Sequence, residues 1–276
     1  AQIGIWLRCL EGPQVTADPI ILARMEDRAE GGRVAYVTIN NAPKRNALAA
    51  EDRAAFAATM HELAQDAELR VVVVTGAGDK SFIGGANIGQ MSAFANPYVA
   101  AEGSRKTHLA CDSVRRMPVP VIARINGYCL GTGMEIAACC DMRVAAESAM
   151  FGMPEVRDGT PSGMEACLLP RLIGWGKTME LVVTGMMIDA REAYRCGFVE
   201  RLVPIGQLDE SVENWIKAIV TAGPRAVRIQ KALAADWERM SYADAVQRGI
   251  DAIGRAHMTD EPQRLMKAFL ERKKKA

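Results

Sequence analysis

Four consecutive valines, Val71-Val72-Val73-Val74, constrain the fold of this chain more than any other feature. A run of β-branched residues puts apolar side chains on both faces of a strand, so both faces need cover. A parallel sheet layered by helices supplies that cover. The flanking sequence fits. Residues 20–25 and 34–39 read as strands, with Glu30-Gly31-Gly32 turning between them. Residues 40–46 form a polar loop containing Pro43. A helix is expected over 50–67, where Phe56, Met60, Leu63 and Ala67 recur at helical spacing. A second helix is expected over 98–116, then a strand over 121–125 introduced by Pro118 and Pro120, and a further strand over 142–145. Residues 151–155 read as a turn.

From about Leu208 the pattern becomes wholly helical. Leu208, Val212, Trp215 and Ile219 mark one amphipathic face, and further helices are expected over 226–239, 242–255 and 261–272. The chain therefore divides into an N-terminal extension (1–19), an α/β core (20–205) and a helical C-terminal region (206–276).

Charge and composition remove several function classes. The 276 residues carry 34 Lys and Arg against 33 Asp and Glu, a net charge of +1. A nucleic-acid or membrane-surface footprint needs a clustered basic excess, and none is expected. No apolar run approaches the length of a membrane span. Residues 1–19 lack a basic leader and a long apolar centre, so no signal peptide is read there, and the cytoplasm is the default compartment. The 7 cysteines are odd in number and make no Cys-x-x-Cys pair, which points to reduced thiols. His61, His108 and His257 are far apart, so no metal site is expected. The basic tail Lys273-Lys274-Lys275 reads as solvated, or as favouring an anionic ligand nearby.

Two glycine-rich segments carry the chemistry. One is Phe82-Ile83-Gly84-Gly85-Ala86-Asn87-Ile88; the other is Gly131-Thr132-Gly133-Met134-Glu135. Both follow strands and enter helices, where backbone N–H groups are unsatisfied and the dipole end is positive. Two such N–H groups converging on one point would form an oxyanion hole. Neither segment has the Gly-x-Gly-x-x-Gly spacing of a dinucleotide site, and no Walker phosphate loop is present. Glu135 and Glu155 both stand beside glycine turns. Either alone reads equally as a partner of a helix dipole. Together, near two candidate donor loops, they suit proton transfer next to a carbonyl.

At this point the chain resembles the crotonase, or enoyl-CoA hydratase/isomerase, superfamily over roughly residues 20–275. The resemblance rests on Asn40-Asn41-Ala42-Pro43-Lys44-Arg45-Asn46-Ala47-Leu48, Val72-Val73-Val74-Thr75-Gly76, Gly84-Gly85-Ala86-Asn87-Ile88, Pro118-Val119-Pro120-Val121-Ile122-Ala123, Asn126-Gly127-Tyr128, Phe151-Gly152-Met153-Pro154-Glu155 and Leu169-Pro170-Arg171-Leu172-Ile173-Gly174, in that order. It implies a spiral of ββα units followed by a helical trimerisation region, in a homotrimer or homohexamer. It implies an acyl-CoA thioester held by the N–H groups of Ala86 and Thr132. Glu135 would activate water for attack at Cβ, and Glu155 would deliver or remove the Cα proton. Coenzyme A would be bound by Arg45, Gly85, Ala86, Ile88, Phe269 and Arg272, the last two from a helix that often serves a neighbouring subunit. Coenzyme A belongs to the substrate, so no resident cofactor or metal is implied.

The implied reaction is reversible hydration of a 2-enoyl-CoA. The alternatives are an isomerase, another crotonase-type lyase or hydrolase, or an inactive CoA-ester- or RNA-binding relative, against which both glutamates argue. The sequence departs from the family pattern at four places: Thr132 replaces a frequent glycine while keeping its N–H, Asn87 stands where aspartate is common, residues 162–168 replace a glycine-rich helix start, and Arg157-Asp158 are charged where simple hydratases are apolar. The last reads either as a solvated turn or as a mark of a polar acyl group.

Overall fold

Strands β1 (Ile21–Asp27) and β2 (Arg33–Ile39) pair antiparallel about the Gly31-Gly32 turn. The computed structural model describes residues 19–275, so the extension read at 1–19 lies, but for its last residue, outside the described residues. Along the chain follow α1 (Ala50–Leu63), β3 (Leu69–Gly76), β4 (Ser81–Ile83), α2 (Ile88–Met91) and α3 (Pro97–Arg115). Next come β5 (Val121–Ile125), β6 (Tyr128–Leu130), α4 (Thr132–Cys139), β7 (Met142–Ala146) and β8 (Met150–Gly152). Two 3-10 turns, Pro154–Asp158 and Met164–Leu168, lead into α5 (Leu169–Ile173), α6 (Trp175–Thr184), β9 (Met187–Asp189), α7 (Ala190–Arg195) and β10 (Arg201–Val203). Four helices end the chain: α8 (Leu208–Val220), α9 (Pro224–Trp237), α10 (Tyr242–Ala256) and α11 (Glu261–Lys275).

The strands form two sheets. The larger has the order β1-β2-β3-β5-β7-β10, parallel from β2 onward, and the smaller has the order β4-β6-β8-β9. Each turn of the spiral puts one strand in each sheet and then a helix or 3-10 turn: β3-β4, β5-β6 and β7-β8. Buried asparagines brace the corner between the sheets. Asn126 Nδ2 donates to the carbonyls of Gly76 (2.9 Å) and Gly78 (2.6 Å), and Asn46 Nδ2 donates to that of Ser81 (2.6 Å).

The valine run behaves as its composition predicts. Val72 and Val74 join one core with Phe56 and Met60 of α1 and Ala110 and Val114 of α3. Val71 and Val73 join another core, against Leu208, Val212, Ile216 and Val220 of α8. Each fully buried valine contributes about 1.5–3 kcal/mol relative to exposure, so both layers are well anchored. The buried face of α8 is thus rotated from the expected one, with Trp215 and Ile219 only flanking it.

Other expectations need correction. The helix expected over 50–67 stops at Leu63, and Ala67 is exposed. Asp66 ends it, because its carboxylate accepts the Glu68 N–H at 2.9 Å and pairs with Arg33 at 3.0 Å. β6 (Tyr128–Leu130) directly precedes the glycine segment at 131–135, and β8 (Met150–Gly152) overlaps the turn expected over 151–155. Strands of three residues are too short to show a period of two. The sequence reading also placed no element where β9, β10 and α5–α7 occur.

Candidate active site

β4, β6 and β8 are adjacent and parallel, so their C-terminal ends share one edge of the small sheet. Neighbouring strands lie about 4.8 Å apart. The segments leaving that edge are Gly84-Gly85-Ala86, Gly131-Thr132 and Met153-Pro154-Glu155. The topology therefore gathers three sequence-distant segments, all singled out above.

Backbone pairing orients the first segment. Leu48 N–H donates to the Gly85 carbonyl at 3.0 Å, and the Leu48 carbonyl accepts the Asn87 N–H at 3.0 Å. Leu48 thus bridges across Ala86, so the Ala86 N–H points to the opposite side of its strand. In the second segment Thr132 is the first residue of α4. The first hydrogen bond closing the helix runs from Glu135 N–H to the Gly131 carbonyl at 3.0 Å, which leaves the Thr132 N–H among the orphan donors of the first turn.

Two glycines make this approach possible. Gly131 has φ +51° and ψ −121°, a conformation that penalises any side chain. A Cβ there would lie 2.5 Å from Glu155 Oε1, which places the Glu155 carboxyl over the turn. A Cβ on Gly133 would lie 2.1 Å from the Ile83 carbonyl oxygen, so α4 seats directly against the end of β4.

Glu135 lies one helical turn beyond Thr132, on the same face of α4, and is 2 % exposed. The Ala166 N–H donates to its Oε1 at 3.3 Å. Burial pushes its pKa up to about 8, and the charges of Glu155 and Glu165 add to that; the N–H groups of Ala166 and Glu165 oppose it. Burial also raises the half-buried Glu155, opposed by the Ser162 hydroxyl, which donates to Oε2 at 2.6 Å. Burial and like charge both disfavour ionising Glu135 while Glu155 is charged.

At the mouth, Arg45 is exposed, its guanidinium 5.1 Å from the Tyr128 ring centroid, and its carbonyl accepts the Gly84 N–H at 2.9 Å. Ile88, 60 % exposed, opens α2 just beyond Gly85 and Ala86. Asn87 caps α2 by accepting the Gln90 N–H at 3.1 Å, a structural role. Phe269 and Arg272 are exposed on α11. Among the described residues, Glu261 is where α11 bonds to a distant element, through the N–H groups of Arg225 (3.2 Å) and Ala226 (3.0 Å). Arg157 and Asp158 sit on the exposed turn, and Arg157 Nε donates to the Thr184 carbonyl at 3.3 Å. The Asp158 charge adds to the raising of Glu155.

Four residues around the site escaped the sequence reading. Ser162 holds Glu155. Glu165 adds a third carboxyl. His108 Nδ1 lies within hydrogen-bond distance of Glu165 Oε1, at 2.6 Å. Arg53, buried under α3, donates to the Leu48 carbonyl at 3.0 Å and so supports the strand segment carrying Ala86. The departure at residues 162–168 was the signal available for two of them.

The match to the family model described as enoyl-CoA hydratase/isomerase covers residues 29–276. The chain is 35% identical over 247 residues to a short-chain-enoyl-CoA hydratase of Clostridium acetobutylicum, covering 88% of this chain and 93% of that protein. It is 35% identical over 246 residues to a crotonyl-CoA hydratase of Syntrophomonas wolfei, covering 88% and 93%. The fold superposes on an enoyl-CoA hydratase structure from Bacillus anthracis with a TM-score of 0.86 at 31% identity, covering 92% of this chain and 96% of the other.

Proposed function

The chain belongs to the enoyl-CoA hydratase/isomerase family, and we propose that it is an enoyl-CoA hydratase, adding water reversibly across the 2,3 double bond of a 2-enoyl-CoA thioester. The observation that carries this reading is a pair of carboxyls, both raised by burial, beside two outward N–H donors on one sheet edge. The Ala86 and Thr132 N–H groups polarise the thioester carbonyl and stabilise the enolate that forms when Cβ is attacked; one such donor is worth about 10²–10³ in rate.

One proton on two carboxyls serves both directions. In hydration Glu135 takes the proton of the attacking water as Glu155 gives its proton to Cα. In dehydration Glu155, as carboxylate, removes the Cα proton and Glu135 returns its proton to the leaving hydroxyl. The free site, with the proton favoured on Glu135 and Ser162 donating to Glu155, is poised for the second direction. Hydration starts from the other placement of the same proton.

Arg45, Gly85, Ala86 and Ile88, on or beside the segment leaving β4, are assigned to the pantetheine and phosphates of coenzyme A. Phe269 and Arg272 are assigned to the coenzyme A of a neighbouring subunit in a trimer or hexamer. Support for assembly comes from the uncovered apolar face of α10, with Val246 at 47%, Ile250 at 58% and Ile253 at 65% exposure. Light scattering on the purified protein should give three or six times the chain mass; a monomer overturns that part. No helix among the described residues is long and apolar enough to cross a membrane. A cytoplasmic location is assigned on the six free cysteines of the described residues.

The test is turnover of a crotonyl-type thioester, followed by loss of its conjugated absorbance. Glu135→Gln and Glu155→Gln should each cripple it, and near-full turnover by either variant overturns the assignment.

A further inference from the structure

Glu165 is a buried carboxylate outside the expected catalytic pair. It is 6 % exposed, and its Oε2 is buried with no hydrogen-bond partner. A polar atom left in that state is costly, and an apolar residue would serve stability better. The backbone around it is also strained, since Met164 takes φ +43°, a left-handed conformation that a methionine rarely adopts. The same 3-10 turn presents its N–H groups to Glu135, the Ala166 N–H at 3.3 Å from Oε1. Glu165 Oε1 is held from α3 by His108 Nδ1 at 2.6 Å, and the His108 side chain is 56 % exposed.

We propose that Glu165 and His108 form a positioning pair for Glu135, holding the turn that donates to it and setting the charge it faces. The inference rests on reading Glu135 as a reacting carboxyl. Other ionisable groups also face this cluster. Arg53 approaches from α1, Cys111 and Arg115 from α3, Cys139 from α4 itself, and Glu155 from the neighbouring turn. Arg115 is engaged by Glu238, and Arg53 by the Leu48 carbonyl. His108 is the group bonded to Glu165. A histidine is the side chain suited to gaining charge in an enzyme's working range. The charge of Glu165 favours retention of the Glu135 proton, and a positive charge bonded to Glu165 would offset it.

The experiment compares wild type, Glu165→Gln and His108→Gln. Two quantities are followed with pH: kcat/KM on a crotonyl-type thioester, and the Glu135 carboxyl signal in ¹³C NMR. Glu165→Gln should move the Glu135 titration and the matching limb of the rate profile down by about half a pH unit or more. His108→Gln should move both up, because it replaces an imidazole able to carry positive charge with a neutral donor. Titrations unmoved in both variants, or moved in the same direction, overturn the proposal; a merely structural role lowers kcat without moving the limb. If Glu165→Gln does not fold, the half-exposed His108→Gln decides, with an upward shift supporting and an unmoved or downward one overturning. Wild-type protein without turnover would instead sink the hydratase reading, and the NMR titration would still decide this one.

Discussion

The large sheet and the small sheet are built on opposite terms. β3 of the large sheet spans 8 residues, with six in a row buried, and is covered by α1 and α3 on one face and α8 on the other. The strands of the small sheet have 3 residues each. Their side chains join the core, Phe82, Ile83 and Phe151 fully buried, but the segments leaving three of them carry Ala86, Thr132 and Glu155, with Glu135 one turn further on. One sheet supplies stability through apolar area. The other aligns backbone donors and carboxyls at strand spacing and tolerates buried charge to do so. Substitutions in the two should therefore separate activity from stability.

The largest effect is expected at the carboxyls. Glu135→Gln and Glu155→Gln should each lower kcat by about 10²–10⁴, measured with the thioester assay. The same Glu135→Gln change should stabilise the fold at alkaline pH. Glu135 has a folded-state pKa raised to about 8, above that of an unfolded glutamate. The stability tied to its proton is therefore complete at acidic pH and is lost as pH rises through about 8. A glutamine has no such loss, so its advantage over wild type grows with pH, to on the order of 2–4 kcal/mol above pH 8. Denaturant melts at pH 6 and pH 9 check this, and equal differences at the two pH values would break it.

Gly133→Ala tests the seam between α4 and β4. Its Cβ would meet the Ile83 carbonyl oxygen at 2.1 Å, so overpacking should cost about 1–3 kcal/mol and displace the donor loops. Both Tm and kcat should fall. Val73→Ala, in the core between the large sheet and α8, is the counterpart. It should cost about 2 kcal/mol and leave kcat unchanged; a matching loss of kcat would show that the sheets are not separable. The smallest effect is expected for Arg272→Ala, which removes binding felt equally by substrate and transition state. KM for the CoA ester should rise a few-fold with kcat nearly constant, and an unchanged KM would exclude Arg272 from the coenzyme A site.

The comparison also explains what could be read early. Val71–Val74, the Phe56-Met60-Leu63 stripe and the terminal helices were legible because long elements repeat their pattern. β4, β6 and β8 were not, since three residues contain no repeat. The family motifs nevertheless marked the segments leaving those strands, so Ala86, Thr132, Glu135 and Glu155 were named before their placement was known. His108 and Arg53 were hidden because each lies on a helix whose other residues read as ordinary surface or core.

Local chemistry, then, determined on its own that this chain is a layered α/β protein with glycine turns fit to expose N–H groups and glutamates fit to move protons. Periodicity, glycine backbone freedom and side-chain type are all properties of short segments. Only the tertiary structure decided that three such segments share one edge, that Glu135 keeps its proton to about pH 8, and that a third carboxyl with its histidine stands behind it. Burial and charge proximity depend on what the spiral brings from elsewhere in the chain, and no window of sequence contains them.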